Sequence, residues 1–316
     1  MAAATVKLKE AKKLEITSLM DNTVDFLSSS NRTEVQSLWQ WAGRSRSEMP
    51  FAEHGFSMLI RVFSDKKVHS ILFDTGISPE GVVENAKRMG LDLGEVDCVV
   101  LSHGHYDHFG GLNSALKTIN KEDLPLLTHE DMFKRRGTKD SKGEIHQYPL
   151  FPKTAKAHSK IINTTNPLLI ASDLACVTGE IPRTVEFEKG LTNSQIFSSG
   201  TWQPDPLIAD ERAIVFNVKS KGLVVISGCA HAGIINTLKY AQQIVGVKEV
   251  YAVLGGFHLA GKEFEKRIEP TVEMLKQFSP KMIVPSHCTG WRALHRIHQE
   301  FQDTFVSNSV GNRYLL

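Results

Sequence analysis

The sequence predicts an α+β fold, a four-layer αββα sandwich in which two β-sheets stack face to face and helices cover both outer faces. Three observations predict it. Apolar β-rich runs recur in both halves of the chain, each half adds helices with a 3.6-residue apolar period, and several runs end in loops that carry histidine. The two halves have similar strand and helix content without a short-period repeat, and the chain is read as one domain over residues 1–316.

Residues 14–20 read as the first strand, and residues 21–53 are polar and irregular, with Ser28-Ser29-Ser30 and the pair Trp39 and Trp41, so a long loop is expected there. Residues 56–63 and 68–73 are β-rich runs separated by Ser64-Asp65-Lys66-Lys67, which predicts a hairpin whose second strand ends in Asp74-Thr75-Gly76. Pro79 suits a first helical turn, and Val82, Val83, Ala86 and Met89 follow at helical spacing until Gly90 stops the pattern. Residues 96–101 form an apolar strand that feeds a histidine-rich loop, and Gly110-Gly111 precedes an amphipathic helix through Leu112, Leu116 and Ile119. Residues 130–162 turn basic and turn-rich, through Lys134-Arg135-Arg136-Gly137 and Lys139-Asp140-Ser141-Lys142-Gly143, and are expected to be an insertion, either a solvated surface loop or a lid. Strands follow at 168–171, 213–218, 222–227, 250–254 and 282–285, with helices at 234–244, 263–278 and 293–305.

Composition removes several classes. Hydrophobic residues at 41% and charged residues at 23% are those of an ordinary globular protein and exclude a disordered or low-complexity chain. With 37 Lys and Arg against 35 Asp and Glu the net charge is +2, which gives no global attraction for nucleic acid or an anionic membrane. Four cysteines without a CxxC pair argue against a disulfide scaffold or a zinc ribbon and for a reducing compartment. Residues 1–13 are rich in Ala and Lys but lack the apolar core of about 7–15 residues of a secretory signal, and no run approaches the ~18 apolar residues of a membrane span. The expectation is a cytoplasmic protein whose partner is a small-molecule substrate, with neither nucleic acid nor membrane.

The chemistry concentrates in His103-Gly104-His105-Tyr106-Asp107-His108. Alternate side chains share one face of an extended segment, so His103, His105 and Asp107 converge while His108 is directed to a neighbouring position, and two adjacent metal sites follow. Imidazole nitrogen and carboxylate oxygen suit zinc, with manganese or iron as alternatives. A catalytic zinc takes three protein ligands and a water, so His103 and His105 require one more. His231 is assigned that place, because it follows a strand and opens into a helix as His103 and His105 do. His258 also follows a strand but sits after Gly255-Gly256, whose missing side chains suggest close backbone approach to a substrate, and is flanked by Phe257 and Leu259; it is assigned to substrate or proton transfer. Asp74, at a strand end, is expected to cap turn amides and orient a ligand histidine. Glu180 and Arg183 flank Ile181-Pro182, and Arg183 is the natural fork for a substrate carboxylate or phosphate, with a surface ion pair as the alternative.

The run Ser102-His103-Gly104-His105-Tyr106-Asp107-His108-Phe109-Gly110-Gly111, with Asp74-Thr75-Gly76 before it, resembles the signature of the metallo-β-lactamase superfamily. Gly179-Glu180-Ile181-Pro182-Arg183, Ser227-Gly228-Cys229-Ala230-His231, Gly255-Gly256-Phe257-His258-Leu259 and Pro285-Ser286-His287-Cys288-Thr289-Gly290 resemble the branch that includes dihydropterin-ribofuranosylaminobenzene-phosphate synthases. The resemblance implies that His103 and His105 bind one metal and Asp107 and His108 a second, with His287 as the last histidine ligand of the second. Gly228-Cys229 stands where a Gly-Asp pair usually supplies a bridging aspartate, which leaves two alternatives, a Cys229 thiolate ligand or bridging by hydroxide alone. The expected activity is dinuclear metal-dependent hydrolysis of a small ester or phosphate-containing metabolite, with Asp107 orienting the nucleophile. The alternatives are a transferase of the synthase type and a noncatalytic metal-binding sensor.

Overall fold

The computed structural model describes residues 5–43 and 48–316, so the first four residues of the Ala- and Lys-rich start and residues 44–47 of the early loop lie outside the described residues. Two sheets face each other. The first runs Lys160–Asn163, Pro125–Thr128, Cys98–Val100, Val68–Phe73, Ser57–Phe63, Lys13–Met20, Arg313–Leu315 and Val35–Gln36. The second runs Leu168–Ile170, Ala175–Val177, Ala213–Val218, Gly222–Ser227, Val250–Gly256 and Met282–Ser286, with Glu10–Ala11 also paired to Ala213–Val218.

Strand periodicity decides what lies between and outside the sheets. Along Ala213–Val218, Ile214, Phe216 and Val218 enter the core between the sheets, while Ala213 and Val215 turn to the helical side. Both faces are buried, which is why these runs read as continuous apolar stretches. Gly81–Met89 and Leu112–Ile119 cover the first sheet with Val82, Ala86, Met89, Leu112 and Leu116. Ile234–Val245, Ile268–Phe278 and Trp291–Phe301 cover the second with Ile235, Leu238, Val272, Leu275 and Ile297. The layers therefore run helix, sheet, sheet, helix, as the sequence predicts.

The same topology places the site. Val68–Phe73, Cys98–Val100 and Pro125–Thr128 are parallel neighbours in one sheet, and Gly222–Ser227, Val250–Gly256 and Met282–Ser286 are parallel neighbours in the other. Parallel strands release their following loops at one edge, where open sheets form their binding crevices. Gly228 lets the two edges touch. A Cβ there would stand 2.1 Å from Ser102 Oγ and 2.9 Å from Asp74 Oδ2, so any side chain would push the loops of the two sheets apart.

Several regions differ from the expectation, among them the strands Pro125–Thr128 and Ala175–Val177, which the sequence reading did not place. Residues 130–162 contain Arg136–Lys139 and Ile145–Gln147, which join Ser194–Ser198 and Thr201–Pro204 in a small antiparallel sheet, and Lys160–Asn163 extends the first large sheet. These strands are short and mostly polar on one side, so they carry no apolar period in sequence. The early loop holds Val35–Gln36 and a short helix, Leu38–Ala42, and the chain ends on Arg313–Leu315 rather than on a helix. The helices expected at 263–278 and 293–305 occupy Ile268–Phe278 and Trp291–Phe301, each with an adjoining 3-10 turn, Glu265–Arg267 before the first and Gln302–Thr304 after the second. Among the described residues no helix is long and apolar enough to cross a membrane.

Phe216 is fully buried between the sheets. Phe216→Ala should cost about 3–5 kcal/mol in urea unfolding, the usual loss for a large core aromatic, and a loss below about 1 kcal/mol would contradict a packed inter-sheet core.

Candidate metal centre

The loop after Cys98–Val100 turns at His103 and enters a short helix, Tyr106–Phe109, for which His105 is the N-cap residue. This turn points His103 Nε2 and His105 Nδ1 at each other, 2.9 Å apart. His231 Nε2, from the loop after Gly222–Ser227, lies 3.2 Å from the first and 3.1 Å from the second. Burial holds the His103 and His231 rings well below the usual histidine pKa, and burial with nearby Arg136 brings His105 to about 3. All three are therefore neutral at pH 7 and direct nitrogen atoms at one point. A tetrahedral ion with metal–nitrogen bonds of about 2.0–2.1 Å sets its nitrogens roughly 3.4 Å apart, so the triangle fits a divalent cation after a small expansion.

A second group gathers on one oxygen of Asp107. His287 Nε2 is 3.3 Å from Asp107 Oδ2, His54 Nε2 is 3.4 Å from it and His108 Nε2 is 3.7 Å from it. His108 Nε2 also faces Cys229 Sγ at 3.2 Å. Burial alone would raise the Asp107 pKa, but His108, His287 and His105 outweigh it and keep the carboxyl ionised, well below the ordinary range. Burial opposes charge on His287, yet Asp107, Cys288 and Asp21 outweigh it and hold its pKa up at about 9. Both ring nitrogens of His287 are buried, and among the described residues neither finds a hydrogen-bond partner of good geometry, a costly state for a polar group. Carboxylate, imidazole and thiol donors so arranged fit a second divalent ion beside the first.

Neighbouring carboxylates aim these rings. Asp74 accepts from Ser102 N, Ser102 Oγ and His108 Nδ1, each at 2.7 Å, which places the His108 proton on Nδ1 and leaves Nε2 free as a ligand atom. Asp21, at the end of Lys13–Met20, accepts from His287 N at 2.8 Å and from Asn308 Nδ2 at 2.6 Å. Asp210 Oδ2 accepts from Gly104 N at 2.8 Å, fixing the peptide between the first two histidines, while its Oδ1 lies 2.8 Å from Arg136 Nη2. Arg136, expected on a solvated basic run, is buried because Asp210 and Asp205 neutralise it.

The two groups open on a cavity of about 260 Å³, to which the small sheet adds Thr138 and the residue just after its strand Ile145–Gln147 adds Tyr148, joined by Leu191 and Asn193. His258 lies in its wall, with its ring centroid 4.2 Å from that of His231. Glu180 and Arg183 are not brought there. Glu180 Oε1 lies 3.0 Å from His129 Nε2, and Arg183 donates to the carbonyls of Ile181 and Leu207, close to the buried carboxylates Glu211 and Glu188. Neither side chain lines the cavity. The close approach at Gly256 is to the chain itself, for a Cβ there would stand 2.5 Å from Gly228 O. His54, Tyr148, Asn193, Asp21 and Asp210 escaped the sequence reading, since each stands alone in a polar loop or weak strand. Only the position of Asp21 directly after a predicted strand resembled the signal that marked Asp74.

Two outcomes test this geometry. His231→Ala should lose about one metal equivalent by elemental analysis because zinc would be left with two protein ligands; His258→Ala should retain both equivalents, and the opposite pattern would reverse the two roles. Arg136→Met should cost about 3–5 kcal/mol in urea unfolding, as expected when buried carboxylates lose their cation, and a loss below about 1 kcal/mol would show that Asp210 is not held in this way.

The Metallo-beta-lactamase superfamily model matches residues 52–187. A 7,8-dihydropterin-6-methyl-4-(beta-D-ribofuranosyl)-aminobenzene-5'-phosphate synthase of Methanocaldococcus jannaschii is 34% identical over 270 residues, which cover 83% of this chain and 90% of the relative. The crystal structure of Tm1679, a metal-dependent hydrolase of the beta-lactamase superfamily, has a TM-score of 0.73 at 25% identity and covers 95% of this chain and 98% of its own. The metallo-beta-lactamase fold protein YhfI from Bacillus subtilis has a TM-score of 0.54 at 13% identity, covering 96% and 100%. The fold, the histidine loop and the relative that matches most of its length together show that this chain belongs to the metallo-β-lactamase superfamily.

Proposed function

We propose that this protein is a dinuclear metal-dependent hydrolase of a small ester or phosphate-containing metabolite. The observation that carries the reading is the pair of adjoining donor groups, His103, His105 and His231 on one side and Asp107, His108 and His287 on the other, open to a cavity of about 260 Å³. That volume is at the small end of ligand pockets, which suits a metabolite or the reacting end of one. Zinc is the first candidate for both sites, with manganese or iron as alternatives.

Divalent ions bound at such a centre supply Lewis acidity and bring the pKa of water toward about 7. The chain supplies the rest. Asp107, ionised, accepts a hydrogen bond from the attacking nucleophile and orients it. The His258 ring lies in the cavity wall, so it is placed to deliver a proton to the leaving group. Tyr148 and Asn193 offer hydrogen-bonding groups to the remainder of the substrate. Cys229 is a candidate thiolate ligand of the second group.

A second reading, a transferase of the kind named in the archaeal relative, is favoured by the 34% identity over 83% of the chain. An assay of phosphodiesters, thioesters, lactones and pterin precursors on metal-loaded protein in heavy-oxygen water separates them: hydrolysis puts the label into product, whereas transfer to an organic acceptor leaves it out. Turnover should cease with a chelator and return with metal. Asp107→Ala should lower kcat by roughly three orders of magnitude or more with an unchanged circular dichroism spectrum, and undiminished activity in that variant would remove the hydrolase reading.

A further inference from the structure

Two thiols meet beside the second donor group. Cys288 Sγ donates to the Cys229 carbonyl at 3.4 Å, and the two sulfurs lie within 4.8 Å of each other. Their loops follow Met282–Ser286 and Gly222–Ser227, strands that are not neighbours, since Val250–Gly256 lies between them. Gly256 makes the meeting possible. A Cβ on it would stand 2.7 Å from Cys288 Sγ and 3.2 Å from Cys229 Cα, so a side chain on the middle strand would fill the space through which Cys288 reaches over. Both cysteines line the cavity and Cys288 is partly exposed, whereas Cys98 and Cys176 are buried in strands. Cys229 Sγ has a second neighbour, His108 Nε2 at 3.2 Å.

We propose that Cys229 and Cys288 are a modification site at which a peroxide closes a reversible disulfide, and that this disulfide competes with the second metal for the Cys229 sulfur. The inference rests on the reading of Cys229 as a metal ligand. Cys288, the more accessible thiol, attacks one peroxide oxygen; the O–O bond breaks, Cys288 becomes a sulfenic acid and the other oxygen leaves as water. The Cys229 sulfur then attacks the Cys288 sulfur, the S–O bond breaks and a second water leaves. The two thiols lose two electrons and two protons, and the peroxide takes up both. A disulfide bond of about 2.05 Å requires the two side chains to turn toward each other, which draws Cys229 away from His108.

The test treats reduced, metal-free protein with hydrogen peroxide and reads thiols, crosslinked peptides and subsequent zinc uptake. Titratable thiols of the denatured protein should fall from the four in the sequence by two. Peptide mapping should find Cys229 joined to Cys288, and the oxidised protein should take up one zinc fewer than the reduced protein until dithiothreitol restores it. Zinc loaded beforehand should slow the crosslink, and Cys288→Ser should form none while keeping its full zinc content after peroxide. An unchanged thiol count, a crosslink between other cysteines, or a crosslinked protein with undiminished zinc would overturn the proposal. Reduced protein that takes up no zinc would overturn the metal reading itself, and the mapped crosslink distinguishes that failure from a failure of the thiol pair.

Discussion

Three buried histidines, His103, His105 and His231, bring one ring nitrogen each to a common point, 2.9–3.2 Å from one another. Nothing local in any one loop enforces it. The triad exists because a parallel set of strands in each sheet ends at the same edge and because Gly228 lets those edges approach within contact distance. A cation at the centre would be coordinated by all three nitrogens at once and by none of them in the unfolded chain, so the metal is expected to contribute to stability as well as to chemistry.

Charge is arranged in pairs of rings and carboxylates. Asp74 fixes the tautomer of His108 and Asp21 anchors the backbone of His287, and each lies directly after a strand of the first sheet. Asp210 does the same for the peptide between His103 and His105, and its partner Arg136 belongs to the small sheet that forms part of the cavity wall. The small sheet in the cavity wall is therefore tied electrostatically to the histidine loop. A substitution in the small sheet that disturbs Arg136 should be felt at the ligand loop even though Arg136 touches neither ion site.

Much of this was legible in the sequence because the signals were dense. Four ligand-type residues in six positions after an apolar strand announced the ligand loop, and doubly buried strands such as Gly222–Ser227 announced the sheets. His231, His258 and His287 were legible because each closely follows such a strand. What escaped depends on contacts between distant segments. His54 meets Asp107 only through the fold, Asp210 finds Gly104 across 106 positions, and Arg136 reads as solvated until the carboxylates of Asp210 and Asp205 surround it. Glu180 and Arg183 show the converse, since their local pattern resembles a ligand fork while the fold gives both side chains partners within the chain.

The central claim is that two metal ions sit side by side at the edge shared by the sheets. Anomalous scattering at the absorption edge of the bound metal, from crystals of metal-loaded protein, tests it most directly. Two peaks about 3.5–4 Å apart are expected, one among His103, His105 and His231 and the other among Asp107, His108 and His287. A single peak, or peaks at residues other than these, would contradict it.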